Sequence, residues 1–411
     1  MGAQSGTRRS VVLRWLVGLV VVVAAVAGCT SSSGSGGGSG GGQNAGGGGQ
    51  AAGGGEQSSA PAEPASVAVV PAANAAAVAP GDPVKVTASG GTLSSVTVSG
   101  AGGAVKGTLN ADKTVWTSTA KLGFGARYTV SAVAANASGQ KTSKTSAFTT
   151  ARATRTVFPA VAPLSGMTVG VGMPVRVFFD NPVSDRKAAL ARMKVTTSVP
   201  TTGAWRWFSD TEVHWRPQTY WKPGTKVALD TDLRGVALAP GTYGSVNADR
   251  HIAFTIGASH VSIADARTHR MKVWVNGKLT KDMPASLGKE VKGRYTHSGV
   301  HIVTDKKRSM TMDSTTYGLA LDAGGYRTHV EYATRISNSG EFVHSAPWSV
   351  AQQGRENVSH GCVNLSPANA TWFFGIAQPG DVVKITGTPV PLTSRDTDIP
   401  DWTIPWSQWG E

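Results

Sequence analysis

Hydrophobic and polar positions change their rhythm several times along this chain. Arg8, Arg9 and Arg14 lead into an unbroken apolar and small-residue run from Trp15 to Ala27, thirteen residues long. That is too short to cross a bilayer as a stable helix, and its charged flank gives it the layout of a signal peptide. Residues 31–60 follow with no periodicity, and fourteen of them are glycine; such a composition cannot bury enough apolar surface to offset its ordering entropy. From Pro61 to about Ile256, short runs of Val, Thr and Ala are broken by Gly, Pro and Asn, the rhythm of an antiparallel sandwich without a long amphipathic helix. Beyond His260, Met271–Val275 and Leu279–Met283 flank Asn276-Gly277, which predicts a hairpin with a two-residue turn. Tyr326–Ile336 alternates as a further strand. Ser366-Pro367 supplies an N-cap and a first-turn proline for a helix through Trp372 and Phe373, closed by Pro379-Gly380, and Val382–Ile385 reads as a last strand. The fold class expected is mainly β with one or two helices.

The β-rich stretch repeats itself. Gly81-Asp82-Pro83-Val84-Lys85-Val86 is echoed by Gly172-Met173-Pro174-Val175-Arg176-Val177, and Asp112-Lys113-Thr114-Val115-Trp116 by Asp210-Thr211-Glu212-Val213 with Trp215 close by. Ala147-Phe148-Thr149 matches Ala253-Phe254-Thr255, so three landmarks recur in one order while their offset grows from 91 to 106 residues. Two copies of one fold explain this, the second carrying insertions. The expectation is two immunoglobulin-like β-sandwiches, 61–150 and 151–256, held by core packing because neither contains cysteine. A β-rich domain over 257–387 follows, then a tryptophan-rich extension, 388–411. Trp402, Trp406 and Trp409 are spaced as on a helix, but Pro400 and Pro405 argue against a regular one. This tail is expected to fold back on the β-rich domain or on the second sandwich.

Charge adds one question. Lys and Arg outnumber Asp and Glu by 39 to 25, a formal net charge of +14, which suits an acidic partner. The basic residues are scattered and no nucleic-acid motif accompanies them, so nucleic acid is not expected to bind and attraction to an acidic cell envelope fits as well. The two cysteines, Cys29 and Cys362, have contexts too different for a mutual disulfide. Val26-Ala27-Gly28-Cys29 resembles the lipobox of bacterial lipoproteins. The resemblance implies that residues 1–28 are a lipoprotein signal peptide and that Cys29 is lipidated as the new N-terminus. The chain would then be anchored at the extracytoplasmic face of the cell membrane. Residues 29–60 would form a flexible tether spanning on the order of 30 Å by coil statistics. Cleavage by an ordinary signal peptidase, with Cys29 incidental, is the alternative.

The chemistry concentrates in Ser359-His360-Gly361-Cys362-Val363-Asn364. A thiol attacks only as thiolate, so it needs a base or an electropositive setting, and His344, eighteen residues upstream, is the candidate. Gly361 lets the backbone turn so that N–H groups near Cys362 converge on one space, where they could stabilise an oxyanion. Three rival readings compete. A free cysteine is often inert packing. His344, His360, Cys362, His329 or the pair His297/His301 could ligate zinc, but Ser298-Gly299-Val300 between that pair reads as turn and strand, so no metal and no cofactor are expected. A non-enzymatic envelope-binding lipoprotein would make the sandwiches the working part.

The segment resembles the L,D-transpeptidase catalytic domain, whose signature is a histidine, a spacer and Ser/Thr-His-Gly-Cys-x-Asn. The match extends to Met310-Thr311-Met312-Asp313-Ser314, Tyr317-Gly318, Gly324-Gly325-Tyr326-Arg327, Ile336-Ser337-Asn338-Ser339-Gly340 and His344-Ser345-Ala346-Pro347-Trp348-Ser349-Val350. The whole chain, with its lipobox and two immunoglobulin-like modules, is similar to the mycobacterial-type enzymes of that family. The resemblance implies that Cys362 attacks the diaminopimelate carbonyl of a peptidoglycan tetrapeptide stem and expels D-alanine. The side-chain amine of a second stem then accepts the acyl group in a 3→3 cross-link. It implies His344 as base and acid, oriented by the Ser345 carbonyl. His360, Gly361 and Cys362 would line the oxyanion site, with Tyr317 on a lid hairpin. Tyr326, Ser339, Gly340 and Asn364 are implied as substrate contacts, and carbapenem-type β-lactams as covalent inhibitors of Cys362. Thr328-His329 and Arg355-Glu356 depart from the family pattern around the site. A cell-wall cysteine peptidase, an L,D-carboxypeptidase, is the nearest enzymatic alternative, since only the second nucleophile differs.

Overall fold

A computed structural model describes residues 63–410; the apolar leader, Cys29 and the glycine-rich tether lie outside the described residues. The first sandwich faces two four-stranded sheets. One runs Ser66–Val70, Lys85–Ser89, Val115–Ser118, Gly107–Leu109, and the other Gly103–Ala104, Thr92–Gly100, Arg127–Ala135, Lys141–Thr149. Successive side chains of a strand point to opposite faces. Along Arg127–Ala135 this buries Tyr128, Val130, Ala132 and Ala134 while Arg127, Thr129 and Ser131 stay exposed. Those residues close on Val84, Val86, Trp116 and Phe148 from the facing elements.

The second sandwich repeats the plan. Pro159–Ala162, Val175–Phe179, Glu212–Pro217 and Gly203–Trp207 form one sheet, and Thr168–Val169, Asp249–Ile256, Lys226–Asp232 and Met193–Thr197 the other. In each copy the Gly-x-Pro-Val segment leads into a strand paired with the tryptophan-bearing strand. The Ala-Phe-Thr segments both lie in the last strand of their copy. A further landmark is three-dimensional. The indoles of Trp116 and Trp215 each lie over a glycine of the neighbouring strand, Gly107 and Gly203, where any Cβ would overlap the ring. The second copy's insertions include the short helix Arg186–Ala191, capped by Asp185, which accepts the Ala188 N–H at 2.9 Å. Less than two turns long, it leaves no periodic signal in the sequence.

In the remaining third, Asn276 and Gly277 adopt φ of 49° and 80°, the left-handed pair that a two-residue hairpin turn requires. Their strands, Arg270–Val275 and Lys278–Pro284, continue through His260–Asp265 and Val382–Thr386 to Gly299–Ile302 in a five-stranded sheet. A four-stranded sheet runs Asp305–Asp313, Arg327–Arg335, Phe342–Ser345, Val363–Leu365. The helix Pro367–Ile376 is capped by Ser366 as its sequence predicts, and buries Ala370 and Phe373. Strand alternation then divides the four-stranded sheet. Val343, Val363 and Leu365 enter a core with Met271, Leu287, Ile336 and Phe373. Cys362 goes to the opposite side with Met312, Val330 and Phe342.

The second sandwich and this third share a core, since Ile302 and Val382 pack with Val171, Met173 and Val227. The backbones touch as well: the N–H groups of Gly170 and Gly172 donate to the carbonyls of Pro379 and Gly380, both at 2.8 Å. The tail reinforces the joint. Leu392 and Asn338 bond it to the C-terminal third, through Leu392 N–H to Ser298 O at 2.7 Å and Asn338 N–H to Asp396 O at 3.0 Å. Residues 400–409 then cross onto the second sandwich as two short 3-10 turns, Pro400–Thr403 and Trp406–Gln408, instead of a helix. Trp402 Nε1–H donates to Gly172 O (2.7 Å) and Trp409 Nε1–H to Ala204 O (2.8 Å). The Arg216 guanidinium lies 4.5, 5.2 and 4.3 Å from the rings of Trp402, Trp406 and Trp409. Each such contact stabilises by about 0.5–2 kcal/mol. Beneath them, fully buried His214 bonds to Asp401 and to Glu212, both at 2.8 Å. Burial alone would lower the His214 pKa, but the Asp401 charge and the two hydrogen bonds outweigh it and raise it.

A raised histidine pKa stabilises the fold fully below the unfolded value of about 6.5 and progressively less as pH rises through the folded value. Deleting residues 400–411 is therefore expected to lower the melting temperature at pH 6 by about 5 °C or more. The deficit should shrink as pH rises through the folded His214 value. Melting curves of both proteins across pH 6–9 check this, and a constant gap would exclude the His214–Asp401 pair as its source.

Candidate active site

Two parallel strands build the site. Phe342–Ser345 pairs with Val363–Leu365 so that His344 stands opposite Asn364. With the odd-numbered valines in the core, Asn364 and Cys362, two residues apart, share the other face with His344. The His344 Nδ1 lies 2.8 Å from the Ser345 carbonyl. A carbonyl only accepts, so Nδ1 carries the proton and Nε2 keeps its lone pair. Burial pushes the His344 pKa down to about 4, against the opposing pull of the Ser345 carbonyl and of Asn364 beside the ring. Asn364 Nδ2–H donates to Ser349 Oγ at 3.1 Å, which fixes the amide next to the imidazole.

Cys362 is buried at 4 % exposure. Burial pushes its thiol up to about 12; the Glu341 charge adds to that rise, and the Phe342 N–H opposes it. The S–H donates to the Gly340 carbonyl at 3.6 Å, not to the imidazole. The resting site therefore holds a neutral thiol and a neutral base. Ser359 staples the turn before the sulfur, its Oγ donating to Cys362 O at 2.6 Å and accepting the Gly361 N–H at 3.0 Å. This corrects the expectation for Gly361, since its amide is spent on Ser359 and does not open toward an oxyanion. What glycine supplies there is a φ of 126°, a region that L side chains rarely adopt.

Two cavities flank the turn. One of about 310 Å³ is lined by Cys362, His344, Asn364, Met312, Trp348 and Ser359, among others. The second, about 170 Å³, is lined by Tyr317, Ser339, Gly340, Gly361, Glu341 and His297, among others. Tyr326 and His360 line both; with ring centroids 4.8 Å apart, they form the wall between them. Tyr317 belongs to the turn Ser314–Tyr317 at the tip of the Asp305–Asp313 and Arg327–Arg335 hairpin. Its ring covers Gly340, where an added Cβ would stand 2.7 Å from ring carbons. Its hydroxyl accepts from Arg335 Nη2 at 3.2 Å.

Of the residues expected to act in catalysis or to contact substrate, all reach one of the two cavities except Ser345, which serves through its carbonyl beneath His344. The variable positions divide. Thr328 lines the larger cavity, but His329 pairs with Ser309 at 3.2 Å on the hairpin. Arg355 and Glu356 line a separate hollow with His269 and Lys289, so neither flanks the thiol. The metal reading of His297 and His301 also fails on geometry. Both His301 ring nitrogens face carbonyl oxygens, of Ile336 at 3.1 Å and His297 at 2.8 Å, and His297 Nδ1 is held by Glu341 at 2.9 Å. Among the described residues no three His, Cys, Asp or Glu side chains converge to hold an ion. Glu341 itself escaped sequence reasoning; a carboxylate directly ahead of the apolar Phe342-Val343 was the available signal.

Residues 259–385 match the L,D-transpeptidase catalytic domain and residues 75–237 match a bacterial Ig domain. The chain is 43% identical to L,D-transpeptidase 2 of Mycobacterium tuberculosis over 329 residues, 80% of this chain and 79% of the relative. It is 36% identical to L,D-transpeptidase 5 of the same species over 346 residues, 82% and 75% of the respective chains. A solved structure of an LD transpeptidase in complex with imipenem is 38% identical, covering 56% of this chain and 99% of that one with a TM-score of 0.48.

A neutral, buried thiol should resist simple alkylation. At pH 8, Cys362 is expected to react with iodoacetamide about tenfold or more slowly than free cysteine, followed by peptide mass mapping. A rate matching the free amino acid would mean an exposed or ionised sulfur.

Proposed function

The chain belongs to the L,D-transpeptidase family of acyltransferases, and from that premise we propose that it cross-links peptidoglycan stem peptides through a thioester on Cys362. The observation that carries the proposal is the shared cavity of a thiol and an imidazole whose tautomer is fixed by the Ser345 carbonyl. His344 Nε2 takes the thiol proton as Sγ attacks the diaminopimelate carbonyl carbon of the donor stem. The C–N bond then breaks, and the imidazolium returns that proton to the departing D-alanine amine. The side-chain amine of a second stem attacks the thioester, His344 removes the proton that this amine loses, and the thiol is released as the 3→3 bond forms.

The resting charges constrain the order of events. A base near 4 facing a thiol near 12 would need on the order of 10 kcal/mol to form a free ion pair, before mutual attraction is counted. Proton transfer therefore accompanies attack, with the substrate in place of a preformed thiolate. With the Gly361 amide held by Ser359, the main-chain N–H groups of His360 and Cys362 are the donors proposed for the tetrahedral oxyanion. Tyr326, Tyr317, Ser339, Gly340 and Asn364 are proposed to contact the stems from the two cavities.

Carbapenem-type β-lactams are proposed to acylate Cys362, the ring carbonyl standing in for the peptide carbonyl with no leaving group to diffuse away. The proposed setting is the outer face of the cell membrane. The lipobox-like Val26-Ala27-Gly28-Cys29 supports a lipid anchor there, with the glycine-rich segment as tether.

Incubated with a purified disaccharide-tetrapeptide, the wild type is expected to yield cross-linked dimer and free D-alanine, read by mass spectrometry. Cys362→Ala and His344→Ala should each lose about a thousandfold or more of that activity while retaining the wild-type circular dichroism. Tripeptide without dimer would identify the carboxypeptidase instead. A carbapenem should add its mass to wild type but not to Cys362→Ala.

A further inference from the structure

The smaller cavity contains a pair that the mechanism leaves unused. His297 offers both its main-chain N–H and its ring Nδ1 to one oxygen of Glu341, at 2.8 and 2.9 Å. Glu341 is 5% exposed at its side chain against 25% for His297. Both residues line the cavity, and the imidazole is its more exposed member. The other Glu341 oxygen lies 3.7 Å from His301 Nδ1. With Nδ1 committed, Nε2 is the ring nitrogen left to act on a ligand, and nothing among the described residues bonds to it. The hydrogen bond to Glu341 raises the His297 pKa, against burial and helped by the charges of Glu341 and Asp396. That bond favours the protonated form of the ring, in which Nε2–H can be donated to an anion in the cavity.

The place of this cavity relative to the sulfur suggests which anion. Gly340, which accepts the thiol proton, and Gly361, which precedes Cys362, both line it, whereas His344 and Cys362 line the larger cavity beyond the Tyr326–His360 wall. A tetrapeptide stem lying across the sulfur would put the bulk of the donor on one side and a single small residue on the other. That residue ends in a free carboxylate. We propose that His297 binds the terminal carboxylate of the donor stem, so that the smaller cavity seats the departing D-alanine and selects stems that end there. His297 is thereby a specificity residue for the cross-linking reaction, and the inference rests on the transpeptidase reading. The covalent step is unchanged: the thioester forms, the peptide C–N bond breaks, and D-alanine leaves as the neutral amine with its carboxylate paired, taking a further proton from water on release.

The test uses the full chain and two probes, a disaccharide-tetrapeptide with its terminal carboxylate and the same compound with a terminal carboxamide. The wild type is expected to favour the acid in kcat/KM, measured by released D-alanine or D-alaninamide, by about tenfold or more, as loss of a charge-assisted hydrogen bond implies. H297Q should lose the preference, chiefly through the acid, while H297R, which keeps the charge, should retain it. The ratio of two substrates on one variant does not depend on how much of that variant is folded. A purely structural His297–Glu341 staple would slow both probes equally in H297Q, and an unchanged ratio there would overturn the assignment while leaving the transpeptidase reading intact. A wild type that turns over neither probe would remove both.

Discussion

The register of two short parallel strands is the constraint on which the site depends. Pairing His344 with Asn364 sends Val343, Val363 and Leu365 into the core beneath the helix Pro367–Ile376. It leaves the imidazole, the amide and the thiol together on the opposite face. A slip of one residue would exchange the two sets, burying histidine among aliphatic side chains and exposing valines in the cavity. The cost of that exchange keeps the chemistry in place. The fully buried Val343, Val363 and Leu365 each stabilise the correct register by roughly 1.5–3 kcal/mol.

The same burial shapes the reactivity. Desolvation disfavours both charged forms, holding Cys362 as thiol and His344 as free base, with the thiol's hydrogen given to the Gly340 carbonyl. Ser359 contributes by holding the turn from both sides of the sulfur. The Glu341 charge makes the thiolate harder to form. A buried carboxylate is costly unless it is paired and hydrogen-bonded, and the main-chain N–H and ring of His297 supply both.

The β modules form a continuous body with the catalytic third. The second sandwich shares core residues with it, and the tail locks the seam by crossing from Ser298 and Asn338 to the Trp402–Arg216–Trp409 cage. Where the second sandwich meets the catalytic third, two glycines approach the Pro379-Gly380 backbone so closely that a side chain at either would collide with it or with Ile302 and Val382. This close approach makes the second sandwich part of the platform that carries the site. The first sandwich follows it through contacts such as Gly81 N–H to Gly235 O at 3.0 Å.

By itself the sequence determined whatever neighbouring residues decide. Asn276-Gly277 set a turn, Ser366-Pro367 started a helix, alternation chose the buried face of each strand, and three repeated landmarks announced two copies of one sandwich. The Ser-His-Gly-Cys-x-Asn run with its upstream histidine pointed to Cys362 as the candidate nucleophile, because the turn that presents the thiol is built from consecutive residues. Tertiary structure alone decided what depends on register between distant segments. It gave the thiol's hydrogen to Gly340 and the Gly361 amide to Ser359, set His297 against Glu341, and placed Arg216 among three tail tryptophans. It also moved Arg355 and Glu356 away from a site that they flank in sequence. Hydrogen bonds and ion pairs act over a few ångströms, and only folding establishes which groups separated by tens or hundreds of residues come that close.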